Sequence, residues 1–223
     1  KTGVARYVMS LTEALLKHAS EAEFHLLALE EDVPLFDFAR DVMRIVPVPE
    51  RWRPPVRNIA WHQSILPAWL QRNGIDVLHI PSYRRMLLAA PCRRVSTIHD
   101  LAPFHVQGKY DLARMLYGRV MVKHLARRQD QIIPVSTNTA NDVRRFFGIP
   151  LERQKVILNG IDHRRFHPGD AAAAAQAVES RWGLREPFFL YVSRIEHPSK
   201  NHVRLIEAFK RFKQTSGWYW QLV

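Results

Sequence analysis

Arg194 and Lys200 lie six positions apart in the stretch SRIEHPSKN, between the apolar run FFLYV and the amphipathic segment HVRLIEAFKRF. An apolar strand that ends in a cation-bearing loop and feeds a helix start is a way to hold a phosphate. The strand fixes the loop, the cations supply charge, and the free N–H groups of the first helical turn supply aligned donors. Asn201 is placed to cap that helix by accepting a first-turn N–H. The layout predicts a site for a phosphorylated ligand near Ser193–Asn201. The competing reading is an exposed Arg and Lys on a polar loop, with Glu196 and His197 as loop filler.

A second group of candidates sits where short apolar runs end. His99 and Asp100 follow VSTI, at the carboxyl end where α/β sheets place their ligands. An imidazole there can orient a hydroxyl or move a proton at neutral pH, and a neighbouring carboxylate can fix its tautomer. The alternative is a histidine bonded to a loop carbonyl, with Asp100 capping a turn. His79 ends DVLHI in the same way, where a lone histidine is usually structural. Ser136, after IIPV, either donates to a phosphate or sugar or caps the helix that follows. Gly3, in TGVA, allows a close backbone approach or simply makes a common turn before a helix.

These residues need an alternating α/β frame. Val4–His18 reads as a helix with Val4, Val8, Leu11, Leu15 and Leu16 on one face, and it lacks a preceding strand. Strands are predicted at Glu23–Leu29, Met43–Val48, Asp76–His79, Arg94–Ile98, Gln131–Val135 and Val156–Leu158. Helices are predicted at Asn58–Arg72, where Pro67 should kink or restart the helix, at Tyr110–Arg128, and at Asn138–Phe147, stopped by Gly148 and Pro150. A helix at Ala171–Trp182, a strand at Phe188–Val192, a helix from Asn201 to about Lys213 and a strand at Trp218–Val223 follow. Two short βα elements cannot close a doubly wound sheet of about five or six strands. The expected organisation is therefore a fragment: a domain over 1–158 without its first strand, a turn-rich linker over 159–170, and the truncated start of a second domain over 171–223.

Composition narrows the function classes. With 47% apolar and 24% charged residues the chain reads as an ordinary soluble globular protein. No apolar stretch approaches the ~20 residues that span a bilayer. Lys1 leads straight into a turn and helix rather than a leader, and the single cysteine, Cys92, can form no internal disulfide. Both fit a reducing cytoplasm. An excess of 33 Lys+Arg over 21 Asp+Glu gives +12, a field that attracts nucleic acid, anionic lipid or sugar nucleotides without choosing among them. No Cys/His spacing fits zinc and no DxD appears, so no metal site is expected.

Several motifs also carry a family resemblance: TGVARY (2–7), DVLHIPS (76–82), VSTIHDLAPF (95–104), IIPVSTNTANDV (132–143), KVILNGID (155–162) and RIEHPSKN followed by LIEAF. In this order they resemble family 4 glycosyltransferases, retaining enzymes of the two-domain GT-B fold. The resemblance implies a Rossmann-like N-terminal domain plus the first elements of a second Rossmann-like domain, with a nucleotide sugar bound between domains. It implies that Arg194, Lys200 and Gly3 serve the donor diphosphate. It also implies that His99 faces the donor sugar and the reaction centre as a catalytic residue, with Asp100 beside it as a second catalytic candidate; from their positions at strand ends and a helix start, His79, Ser136 and Asn201 are weaker candidates for donor or acceptor contacts. No cofactor or metal is implied. The SRIEHPSKNH flavour resembles mannosyltransferases of bacterial polysaccharide assembly, pointing to GDP-mannose and a glycan or lipid-linked acceptor. The acidic pair that binds donor sugar and ribose in the family would lie beyond Val223; Glu13 with Glu21, and Glu23 with Glu31, mimic its spacing in the wrong domain. Without that pair the fragment is not expected to work alone.

Two other classes remain in view. The basic amphipathic stretch 109–128 suits either an anionic membrane surface, making the protein peripheral at the inner face, or a core-packed helix with a solvated cationic face. A basic Rossmann-like polyanion-binding module would explain +12, but the cations are not interleaved with aromatics and no nucleic-acid motif appears, so nucleic acid is not the expected partner. A nicotinamide-dependent dehydrogenase is disfavoured by the absence of G-x-G-x-x-G after a strand.

Overall fold

The computed structural model describes residues 3–105, 117–185, 187–196 and 200–223. They fall into two compact units that meet in sequence at Asn159–Gly160. The first unit opens with helix α1 (Gly3–Leu15), which tightens into a 3₁₀ stretch at Leu16–Glu21. Strands β1 (His25–Leu29) and β2 (Arg44–Val48) pair in parallel, with Leu27 opposite Val46. Helix α2 spans Pro55–Arg72. Strands β3 (Val77–Ile80), β4 (Arg93–Ile98) and β5 (Gln131–Pro134) then form a parallel sheet with β4 in the middle. One helical turn, α3 (Ala102–His105), follows β4.

Of the two expectations at Pro67, a kink or a restart, helix α2 removes the restart: it runs through the proline without a break. An interior proline costs about 3 kcal/mol. Leu66 and Leu70, which flank it, are almost fully buried with Trp61, Val48, Ile80 and Leu87, and each such leucine contributes about 1.5–3 kcal/mol. Packing outweighs the lost hydrogen bond.

The expected strand Val156–Leu158 is also absent. Gln154 makes a single parallel bridge to Ile132, and Lys155 and Ile157 donate their N–H groups to the carbonyls of Ile132 and Pro134. The next bridge would need an N–H from Pro134, which proline lacks, so the ladder stops there.

Of the basic stretch 109–128, residues 109–116 lie outside the described part. Tyr117–Val122 forms a π-helical turn that continues into α4 (Lys123–Arg127). Val122, Leu125 and Ala126 are buried against Ile98, Ile132 and Phe147, while Val120 and Met121 face solvent. Helix α5 (Thr137–Asp142) widens into a π turn at Val143–Phe147 and ends at Gly148, which is left-handed at φ 66°. A Cβ there would meet only the end of the Arg127 side chain, at 2.8 Å, which can shift, so it is the left-handed backbone that favours glycine.

A buried polar hub joins these elements. The Gln129 side chain is fully buried; its amide donates to the carbonyls of Leu125 (2.8 Å) and Leu87 (3.1 Å) and accepts from Ser96 Oγ (3.1 Å). Next to it, Asp130 accepts from the Arg94 N–H and from the Arg93 guanidinium, and these bonds hold its carboxyl below the usual range.

In the second unit, α6 (Ala171–Trp182) is capped by the Asp170 carboxylate and closed by left-handed Gly183. Strands β6 (Phe188–Phe189) and β7 (Gln221–Leu222) pair in parallel, each much shorter than its apolar run suggested. Helix α7 covers His202–Ser216. Phe189 is the packing centre, with its ring 4.7 Å from Trp220, 5.5 Å from Phe212 and 6.2 Å from Phe209. Among the described residues of this unit none is fully buried.

Two histidines of the first unit are pushed below their ordinary pKa, chiefly by burial. His62 is opposed by its bond to the Asn58 carbonyl and further lowered by Arg85; His79 is further lowered by His99. The unfolded chain then binds more protons between the lowered values and about 6.5, so stability is complete above about pH 6.5 and falls on acidification through that window. The melting temperature should therefore drop between pH 7 and 5, and by less in His79→Gln; identical profiles for the two proteins would contradict the burial of a neutral His79. Gln129→Leu strands a hydroxyl and two carbonyls and should destabilise by about 3 kcal/mol or more in urea unfolding. A loss under about 1 kcal/mol would show that the hub is dispensable.

Candidate functional site

Because β3, β4 and β5 run in parallel, their carboxyl ends share one edge. Strand side chains alternate between faces, so adjacent Ser96 and Thr97, both fully buried, reach opposite sides of β4. Ser96 meets the Gln129 hub. Thr97 Oγ1 meets His79 Nε2 at 2.8 Å and the Tyr7 hydroxyl at 3.1 Å. Past the end of β4, His99 Nε2 lies 3.0 Å from the Pro81 carbonyl, and its ring stands edge-on to Tyr7 with centroids 4.8 Å apart at 82°. Tyr7, His79, Thr97 and His99 thus form one polar cluster.

The Pro81 carbonyl only accepts, so His99 Nε2 is the donor and carries the ring proton in the neutral form. Among the described residues Nδ1 has no hydrogen-bond partner, which leaves its lone pair available to a hydroxyl. This corrects one sequence expectation. The tautomer of His99 is set by the Pro81 carbonyl and not by Asp100, whose carboxylate accepts from the Ala102 N–H at 3.0 Å and shapes the turn after β4. Ser136 likewise acts as a helix cap: its Oγ accepts from the Thr139 N–H at 3.1 Å and pairs with Thr139 Oγ1. Thr139 Oγ1 in turn donates to the His99 carbonyl at 3.3 Å, tying α5 to the site. Gly3 begins α1, and among the described residues nothing lies within 4 Å of where its side chain would be. Thr2 falls outside the described residues.

In the second unit the loop after β6 places Arg194 and Lys200 before α7. Arg194 Nη2 forms an ion pair with Glu196 at 3.0 Å, and the Arg194 side chain remains largely exposed. Glu196 is thus the ion-pair partner of this guanidinium within the loop; His197 lies outside the described residues. Lys200 is fixed through its backbone: its N–H donates to the Glu196 carbonyl and its carbonyl accepts from the Tyr191 hydroxyl at 2.6 Å. Asn201 does not cap α7 with its side chain. It adopts φ 55°, and its carbonyl accepts the first helical bond from Leu205. A capping side chain needs extended backbone to reach the first-turn N–H groups, whereas a left-handed asparagine turns away from them. His202, which the sequence reading passed over, bonds Ser193 Oγ at 2.9 Å and packs edge-on against Tyr191.

Tyr7 and Thr97 were the main residues missed in the first unit. Tyr7 lies four positions after Gly3, one turn along the same helix face, and that spacing was a usable signal. The orientation of Thr97 was not readable, because Ser96 and Thr97 are equally polar and only the packing decides which face each takes. Among the described residues no group of three or more His, Cys, Asp or Glu side chains is placed to hold a metal ion, and no helix is long and apolar enough to cross a membrane.

No curated protein matches the chain. Among solved structures it is similar to a glycosyltransferase from Rickettsia africae ESF-5, with 13% sequence identity and a TM-score of 0.56. The likeness covers 97% of this chain and 56% of that one, so the chain spans little more than half the length of the structure it matches. At that identity the likeness speaks for the fold: α/β, with parallel sheets of Rossmann-like type. The Glycosyltransferase Family 4 model matches residues 1–165 of 223, a span that contains the polar cluster at the ends of β3 and β4, and the chain belongs to that family.

Proposed function

We propose that the protein, as it occurs in the cell, is a retaining hexosyltransferase that moves a sugar from a nucleotide-sugar donor to a glycan or lipid-linked acceptor in cell-surface polysaccharide synthesis. GDP-mannose is the first donor to test, on the strength of the SRIEHPSKNH resemblance. The observation that carries the reading is His99: a histidine at a sheet's carboxyl edge, with one nitrogen fixed by a carbonyl and the other without a hydrogen-bond partner among the described residues, in a chain matched by this family.

The chemistry assigns each group one task. As the bond from the anomeric carbon to the donor phosphate breaks, its electron pair leaves on the phosphate oxygen. The acceptor oxygen bonds to the same face of that carbon, and its proton passes to the departing phosphate. No protein nucleophile and no metal are needed in this scheme. His99 Nδ1 accepts a hydrogen bond from a sugar hydroxyl and orients it. Arg194 and Lys200 stabilise charge on the leaving diphosphate, a task for which preorganised cations contribute most. Glu196 pairs with the Arg194 guanidinium, and an incoming phosphate takes over that partnership. His79, Ser136 and Asn201 have structural bonds in the described residues and remain weaker contacts in this proposal.

We place the enzyme at the cytoplasmic membrane face, with 109–128 meeting anionic headgroups. The exposed Val120 and Met121, next to Lys123, support that contact.

Nucleoside diphosphate release from a panel of nucleotide sugars, with the product anomer read by NMR, tests the activity. Release should be donor-selective and the anomeric configuration kept; an inverted product, or tight salt-sensitive oligonucleotide binding with no release, would overturn the reading. His99→Ala should lower turnover by about 10²-fold, and Arg194→Ala by about 10²–10³-fold, with melting temperature unchanged for the exposed arginine. Near-normal turnover in either variant removes that residue from its role. Binding to anionic vesicles should weaken with salt, and equal partitioning to neutral vesicles would count against the membrane contact.

A further inference from the structure

We infer that Tyr7 is the positioning residue for His99, and that its hydroxyl couples His99 to His79 through Thr97. The inference rests on the reading that His99 meets a sugar hydroxyl.

His99 sits just past the last residue of β4, where the sheet no longer fixes its side chain. Its bond to the Pro81 carbonyl holds one nitrogen, but a single hydrogen bond leaves the ring free to turn about that axis. The Tyr7 ring supplies the second constraint. It meets the imidazole edge-on at 4.8 Å and 82°, an arrangement that favours one orientation of each ring over the coplanar alternatives. Two contacts from different elements, the loop after β3 and helix α1, then define both the donor nitrogen and the plane in which the Nδ1 lone pair lies.

Tyr7 can do this only if it is itself held. It is half-buried, and its hydroxyl is tied to Thr97 Oγ1 at 3.1 Å, on a strand residue that is fully buried. Thr97 Oγ1 has one hydrogen to give and meets two partners, Tyr7 and His79 Nε2. A fully buried hydroxyl hydrogen needs an acceptor, so Thr97 gives its hydrogen to one partner and accepts from the other: the bonds run Tyr7 to Thr97 to His79, or the reverse. Whichever holds, removing the Tyr7 hydroxyl changes what Thr97 offers to His79. The start of α1, the end of β3 and the end of β4 thus share one hydrogen-bonded chain and one ring contact.

The test reads tautomers rather than activity alone. In ¹⁵N-labelled protein, long-range ¹H–¹⁵N spectra of the imidazoles should show His99 in the Nε2–H form. Tyr7→Leu should mix the two tautomers of His99. Tyr7→Phe, which keeps the ring edge, should preserve the His99 tautomer while shifting the His79 signals, and Thr97→Val should shift His79 likewise. In the active enzyme, Tyr7→Leu should lower kcat about tenfold with little change in KM for the donor, and Tyr7→Phe should retain most of kcat. If Tyr7→Leu melts lower but leaves the His99 tautomer untouched, Tyr7 is ordinary packing and the inference fails. Should Tyr7→Leu not fold, unchanged His79 signals in Tyr7→Phe overturn the coupling. The two readings separate cleanly: a tautomer change with full activity in His99→Ala sinks the role of His99 and spares that of Tyr7. An inactive His99→Ala with an unmoved tautomer in Tyr7→Leu does the opposite.

Discussion

Two adjacent hydroxyls on the middle strand, Ser96 and Thr97, tie the first unit together because a strand sends neighbouring side chains to opposite faces. Each is fully buried, and a buried hydroxyl without a partner costs about 1–3 kcal/mol. One face therefore had to supply the Gln129 amide and the other the His79 imidazole and Tyr7 hydroxyl. A slip of β4 by one residue would exchange these faces and strand every one of those groups. The register of β4 between β3 and β5 thus fixes the scaffold and the polar cluster in a single choice.

The two units build their polar sites by different means. In the first, strands of one sheet end at one edge, and residues more than 80 positions apart in sequence, Tyr7 and Thr97, meet there. In the second, the contacts are local: Arg194 with Glu196, Ser193 with His202, Tyr191 with Lys200. The exposed guanidinium of Arg194 gains little from its ion pair in stability terms. What the pair does is give the cation a carboxylate partner within the loop that precedes a 15-residue helix.

Much of the frame was legible because it rests on local rules. Apolar periodicity located α1, the alanine run marked the start of α6, and Gly148 before Pro150 stopped the helix after β5. The misreadings came where a distant contact overrode a local preference. A restart at Pro67, one of two outcomes expected there, gave way to a helix that the burial of Leu66 and Leu70 carries through the proline. The apolar letters of 156–158 promised a strand that Pro134, more than twenty residues earlier, cannot pair. Asn201 had the right chemistry for a cap and the wrong backbone.

The sequence by itself determined the alternation of strands and helices, the parallel α/β class, and the family, because those depend on periodicity and on motifs read within a few residues. It also placed His99 at a strand end and Arg194 with Lys200 before a helix. Only the tertiary structure decided which carbonyl accepts from His99 and so keeps its proton on Nε2, which ring sets its plane, and which of Ser96 and Thr97 faces the cluster. Those outcomes depend on hydrogen-bond satisfaction between chain segments far apart in sequence, and no local propensity encodes where such partners meet.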